Sequence, residues 1–233
     1  MNKELFIKEL EKLNIKLNLT QLKQLDAYYQ LLVTENKKYN LTSITEEEQV
    51  YLKHFYDSIT LAKIISLDNQ ELCDIGTGAG FPGLVLKIVF PNLKVTLVDA
   101  TKKKCNFLEL VISRLGLKNI EVLNERAEEY SKKVREKYDI VTSRAVAPLK
   151  HLLEYSIPLV KVNGNYIAMK SNIQEEIIGI ENYEQKLKIK EEQKIIFQLP
   201  IENSTRTLVK YKKIEVTNQK YPRRYNEIKN KSL

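Results

Sequence analysis

Seven glycines occur in 233 residues, and four of them, Gly76, Gly78, Gly80 and Gly83, fall within eight consecutive positions directly after a short apolar run, Glu71 to Ile75. A chain that turns this way needs backbone able to take positive φ and to approach a neighbour without a Cβ in between. One glycine is enough for an ordinary strand-to-helix turn, so the cluster marks a loop shaped around a ligand. The residues that follow agree with such a loop. Apolar runs at Lys94 to Asp99, Ile120 to Leu123, Tyr138 to Arg144 and Asn163 to Lys170 alternate with helical stretches, the order of a doubly wound α/β sheet. Pro82, Thr101 and Pro148 supply helix starts, and Ser171-x-x-Gln174 reads as a capping box for a further helix. Lys194 to Leu199 and Arg206 to Ile214, joined by the turn Glu202-Asn203-Ser204-Thr205, would close the sheet as an antiparallel pair.

Before Glu71 no strand signal interrupts the helical pattern. Leu22, Leu25, Tyr28 or Tyr29, Leu32 and Asn36 recur at three- and four-residue spacing, and Thr45-Glu46-Glu47-Glu48 reads as a capping box opening a helix through about Ile65. The expected organisation is a helical cap over residues 1–68, an α/β domain over 69–220 and a basic C-terminal tail over 221–233.

Composition narrows the functional classes. No unbroken apolar run approaches the ~18 residues of a membrane span. Charges at Lys3 and Glu4 stand where a secretory signal needs an apolar core, so no signal peptide is expected. Cys73 and Cys105 form no C-x-x-C pair and lie far in sequence from His54 and His151, which predicts no metal site and fits a reducing cytoplasm. The formal charge is +8, and from Asn203 to Leu233 nine basic residues face two acidic ones. Such an excess favours a polyanionic partner. Arg206, Arg223 and Arg224, with Tyr221 and Tyr225 interleaved, form the candidate polyanion-binding patch; a disordered, solubilising tail is the alternative.

Two ligands compete for the glycine loop. Gly78-Ala79-Gly80-Phe81-Pro82-Gly83 matches the dinucleotide pattern G-x-G-x-x-G, with Asp99 downstream to hold a ribose. Its register is off, because the first glycine should end the strand, and counting from Gly76 puts Phe81 where the third glycine belongs. Asp74-Ile75-Gly76-Thr77-Gly78-Ala79-Gly80 starts in register and resembles motif I of class I S-adenosylmethionine-dependent methyltransferases. Pro82 also removes an N–H that could bind pyrophosphate, and Phe81 offers an apolar surface. Asp99 would accept hydrogen bonds from ribose hydroxyls, and the segment Glu125-Arg126-Ala127-Glu128-Glu129 could read the adenine edge with a backbone N–H and a carboxylate.

With these motifs stand Ser143-Arg144-Ala145, Met169-Lys170, Asn36-Lys37-Lys38-Tyr39-Asn40-Leu41-Thr42 and His54-Phe55-Tyr56-Asp57-Ser58. Together they resemble the bacterial 16S rRNA guanine-N7 methyltransferase family, also called the glucose-inhibited division protein B family, over roughly residues 20 to 170. The resemblance implies a Rossmann-like class I methyltransferase sheet with an N-terminal helical extension and S-adenosylmethionine as cofactor. It also implies a partner, 16S ribosomal RNA or a small-subunit assembly intermediate. Carried over by position, the family's cofactor contacts fall on Gly76, Phe81, Ala127, Glu128 and Arg144, beside Gly78, Gly80 and Asp99 from the loop itself. Many members have tryptophan where Tyr39 precedes Asn40.

The chemistry of the implied reaction predicts what the site lacks. Guanine N7 carries a lone pair and no proton, so positioning suffices and no general base is needed. Thr142-Ser143-Arg144-Ala145-Val146-Ala147-Pro148 accordingly contains neither a cysteine nucleophile nor an (Asn/Asp)-Pro-Pro-aromatic segment. Arg144, at the end of the fourth strand, is the candidate positioning residue, and Lys170, ending the fifth, would meet RNA at the same edge. His54 reads as a hydrogen-bonded core histidine, His151 has no assigned role, and Asn36 and Asn40 either bridge to the catalytic domain or form turns. A dinucleotide-dependent oxidoreductase and a non-catalytic RNA-binding protein on the same fold stay open.

Overall fold

A computed structural model describes residues 1–233. Asn2 caps α1 (Lys3–Glu11) by accepting the Leu5 N–H, and Asn18 and Gln21 form a reciprocal capping box at the start of α2 (Leu19–Tyr39). α2 ends at Asn40 in the left-handed conformation, while the Asn36 side chain accepts the N–H groups of Leu41 and Thr42. Both asparagines are therefore turn formers.

The next helical stretch departs from its sequence reading. Glu46, not Thr45, stands at the N-cap position with no side-chain cap bond, so the expected capping box does not form. α3 (Glu47–Val50) widens into a π-helical turn (Tyr51–Tyr56), then passes through α4 (Asp57–Ile59) into a 3-10 turn (Thr60–Lys63). Such changes of pitch re-aim side chains, and here they serve His54 and Asp57.

The sheet then unfolds in chain order as β1 (Glu71–Ile75), α5 (Gly83–Val89), β2 (Lys94–Asp99), α6 (Lys102–Leu115), β3 (Ile120–Asn124), α7 (Ala127–Lys133), β4 (Tyr138–Arg144), α8 (Leu149–Ser156) and β5 (Val160–Lys170). α9 (Glu181–Leu187), β6 (Ile189–Gln198), β7 (Thr205–Lys213) and α10 (Tyr225–Asn230) complete it. The strand order is β3-β2-β1-β4-β5-β7-β6, with the first five strands parallel and β7 antiparallel to both its neighbours. No helix starts at Ser171, because Asn172 accepts the Gln174 N–H in a local turn and α9 opens only at Glu181. The order reverses between β1 and β4, which places a crevice at their carboxyl ends.

The N-terminal helices share one core with the sheet: Phe6, Tyr28 and Phe55 cluster with Leu84, Leu97 and Phe107. Gln21 Nε2 donates to the carbonyls of Ile88 and Val89, and Gln24 Nε2 to that of Leu115, so α2 satisfies the free carbonyls at the ends of α5 and α6. The Tyr28 hydroxyl donates to the Ala79 carbonyl inside the glycine loop. The opposite face of the sheet packs Tyr138, Leu152, Tyr166 and Tyr211.

The C-terminal residues are seated too. Tyr221 and Ile228 are buried, and Arg223 pairs at 2.8 Å with Glu154, which is 0% exposed. Arg135 donates to the carbonyls of Thr217 and Tyr221. No helix is long and apolar enough to cross a membrane.

Gly80 (φ +104°) tests the contact between cap and loop, since an added Cβ would stand 2.5 Å from the Tyr28 hydroxyl and 2.9 Å from Leu84 Cβ. Gly116 (φ +62°) has nothing within 4 Å and is the control. Urea unfolding should show Gly116→Ala losing about 1 kcal/mol and Gly80→Ala at least about 3 kcal/mol, strain plus overpacking.

Candidate active site

Two adjoining pockets open at the carboxyl ends of the parallel strands, separated by the segment Ala145 to Pro148, which lines both. Ala145 holds a positive φ of 55° directly after β4, and this turn brings Val146 against Gly76. Any Cβ at Gly76 (φ +68°) would come within 2.6 Å of Val146 Cγ1, so only glycine fits there.

The first pocket, about 620 Å³, lies over the ends of β1, β2 and β3. Gly76, Asp99, Ala127 and Glu128, four of the residues expected at the cofactor, line it. Asp99 accepts the N–H groups of Gly78 (2.9 Å) and Thr101 (2.8 Å), one on each oxygen, which fixes the carboxylate while leaving each oxygen a further lone pair. The N–H groups of Ala127 and Glu128 open α7 and have no partner within the helix. Arg126 Nε donates to the buried Glu128 carboxylate, and Arg126 itself lies 4.5 Å from the centre of the Tyr225 ring. Behind the glycine loop Asp74 is fully buried; Gly83 N–H donates to its Oδ2 at 2.8 Å, while Oδ1 and the neighbouring Thr77 hydroxyl lack well-formed hydrogen bonds. Burial pushes the Asp74 carboxyl up to about 6, against the pull of Thr77, the Gly83 N–H and Arg144. Fixed acceptors for hydroxyls and free N–H groups suit the ribose and the base edge of an adenosine.

The second pocket, about 650 Å³, lies between β4, β5, β7 and the helical cap, and contains Arg144, Lys170 and Arg206. At its floor is Asp57, 4% exposed. Arg206 Nε donates to both its oxygens at 3.1 Å and Arg144 Nη1 to Oδ2 at 3.1 Å. Two guanidinium groups thus share one carboxylate, and the local balance is cationic. Arg144 also donates to the Lys53 carbonyl at 3.0 Å and faces His54 Nδ1 at 3.4 Å. Arginine has no acceptor, so Nδ1 must accept and Nε2 carries the proton toward the Thr42 hydroxyl, 2.9 Å away. Burial and Arg144 pull the His54 pKa down to about 3, which keeps the ring neutral. His54 in turn stacks on Phe81, centroids 4.3 Å apart. Lys170 donates to the Ala147 carbonyl at 2.6 Å and to Glu176 at 2.8 Å.

The predicted residues therefore divide. Phe81 and the Arg144 guanidinium stand on the second pocket's side, Gly80 packs under Tyr28, and Gly78 serves to present its N–H to Asp99. Arg206 and Arg223 do not form one patch: the first joins Asp57 and the second joins Glu154 on α8, with Arg224 exposed beside it. Asp57 and Asp74 escaped the sequence reading as functional residues, although both stand in quoted motifs, Asp57 three residues after His54 on one helical face.

The fold and the sequence have known counterparts. The family described as GidB, rRNA small subunit methyltransferase G, matches residues 21–205. The ribosomal RNA small subunit methyltransferase G of Caldanaerobacter subterraneus is 45% identical, covering 99% of this chain and 98% of its own. That of Mycoplasma capricolum is also 45% identical, covering 92% and 93%. Among solved structures, M. jannaschii TYW2 in complex with AdoMet aligns with a TM-score of 0.56 at 14% identity, covering 74% of this chain and 80% of that one. A SAM-dependent methyltransferase from Aquifex aeolicus aligns with a TM-score of 0.53 at 17% identity, covering 77% and 97%. The sheet is thus the Rossmann-like sheet of S-adenosylmethionine-dependent methyltransferases, and this chain belongs to the rRNA small subunit methyltransferase G family.

Proposed function

We propose that this protein transfers the methyl group of S-adenosylmethionine to N7 of a guanine in 16S ribosomal RNA, as RNA or as a small-subunit assembly intermediate, in the cytoplasm. The observation that carries this reading is the pair of pockets sharing the wall Ala145 to Pro148. One offers acids and N–H groups to an adenosine, and the other offers excess cationic charge to a nucleotide. Family membership supports the methyltransferase reading over the dinucleotide alternative.

In this reading Asp99, Ala127, Glu128 and Gly76 hold the cofactor, and Asp74, buried behind the loop, holds the loop in shape by accepting the Gly83 N–H. The bound sulfonium supplies an electrophilic methyl and its own leaving group. The target base has no proton to lose at N7, and the chain's task is to orient it in line. Arg144, clamped by Asp57, His54 and the Lys53 carbonyl, keeps Nε free to donate. A donor on N7 would block the attacking lone pair, so Arg144 addresses O6 or a phosphate. His54 must stay neutral, because a protonated ring would repel the guanidinium it holds. Lys170 and Arg206, which line the second pocket although paired with Glu176 and Asp57, and exposed Arg224 add RNA contacts, whereas Arg223 lies outside that pocket on Glu154.

Three outcomes follow. RNA carrying 7-deazaguanine at the target should take up no methyl group, while inosine there, which keeps N7, should still be methylated. Arg144→Ala should slow single-turnover methyl transfer by about 100-fold through lost positioning, with cofactor affinity nearly unchanged in calorimetry. Asp74 titrates near 6, above the usual carboxylate value, so its charge is present above that pH and lost below it. Its buried charge costs stability, so stability to urea should rise as pH falls from about 7 to about 5, and Asp74→Asn should flatten that profile.

A further inference from the structure

We propose that the C-terminal helix α10 is a wall of the cofactor pocket, and that Tyr225 is a contact for its adenosine. This rests on assigning the pocket over β1, β2 and β3 to S-adenosylmethionine. Tyr225 and Lys229 line that pocket together with Asp99 and Ala127, although the family match ends at residue 205, before α10 begins. The placement is built rather than incidental. Arg223 locks the segment from both its backbone N–H (2.9 Å) and its guanidinium (2.8 Å) onto Glu154, a carboxylate with no solvent exposure. Ile228 is buried on the inner side of α10, and Leu233 N–H donates to the Tyr183 hydroxyl at 3.0 Å, so the segment is fastened at both ends.

Within that frame Tyr225 is 40% exposed, and its ring lies on the guanidinium of Arg126. Arg126 immediately precedes Ala127 and Glu128, whose N–H groups open α7. A purine edge bound to those N–H groups lies next to the aromatic ring, and Tyr155 and His151 line the same end of the pocket. Aromatic side chains gain by stacking on a base through their face, independent of a hydroxyl. Of the two interleaved tyrosines, Tyr225 thus serves the small ligand rather than the RNA, while Tyr221 is buried in the core.

Calorimetric titration with S-adenosylmethionine, and separately with adenosine, tests this in the full-length protein. Tyr225→Ala should raise both dissociation constants by at least about fivefold, the lower end of base–aromatic stacking, while Tyr225→Phe stays close to wild type. The RNA affinity of Tyr225→Ala should not change. Unaltered binding of both ligands by Tyr225→Ala, with wild type binding normally, overturns the role of α10 and leaves the methyltransferase reading standing. Wild type that fails to bind S-adenosylmethionine overturns both.

Discussion

One buried carboxylate ties the two halves of this protein together. Asp57 comes from the helical cap, while the guanidinium groups it holds come from the ends of β4 and β7. A buried charge is tolerated only when paired, and removal of this one would leave two cations facing each other at the mouth of the second pocket. The pitch changes between Glu47 and Lys63 therefore have a functional sense: they deliver Asp57 and His54 to the same edge, where one pairs Arg144 and the other accepts from it. The cap supplies one side of the second pocket, and its core is continuous with that of the sheet.

The glycine loop works by the same economy of contact. Gly76 admits Val146, Gly80 admits the Tyr28 hydroxyl, and Gly83 lies against Asp74 and Leu97. Three of the four glycines thus make room for protein, and their clustering reflects how closely β4, α2 and the sheet approach β1. The wall between the pockets exists because Gly76 lets the turn after Arg144 come so near.

Much of this was legible in the sequence. β1, β2 and β4 coincide with apolar runs bounded by charged or glycine residues, and Gly76, Asp99, Ala127 and Glu128 converge because parallel strands end at one edge. What failed was local in one case and long-range in the other. The Thr45 and Ser171 boxes matched a pattern, but the actual hydrogen bonds went to other groups, Thr42 to the Ile44 N–H and Asn172 to the Gln174 N–H. Arg206 and Arg223 lie 17 residues apart in one basic stretch, yet face carboxylates on opposite sides of the sheet, and no periodicity reveals such partners. The seating of α10 depends on Glu154, distant in sequence, and was invisible for the same reason.

Cofactor and base are proposed to occupy adjoining pockets across the wall of Ala145 to Pro148. A crystal structure with S-adenosylhomocysteine tests it most directly. The ribose should lie on Asp99, the adenine beside Ala127 and the sulfur toward the pocket of Arg144. Ligand bound instead among Lys53, Asp57 and Arg206 would contradict it.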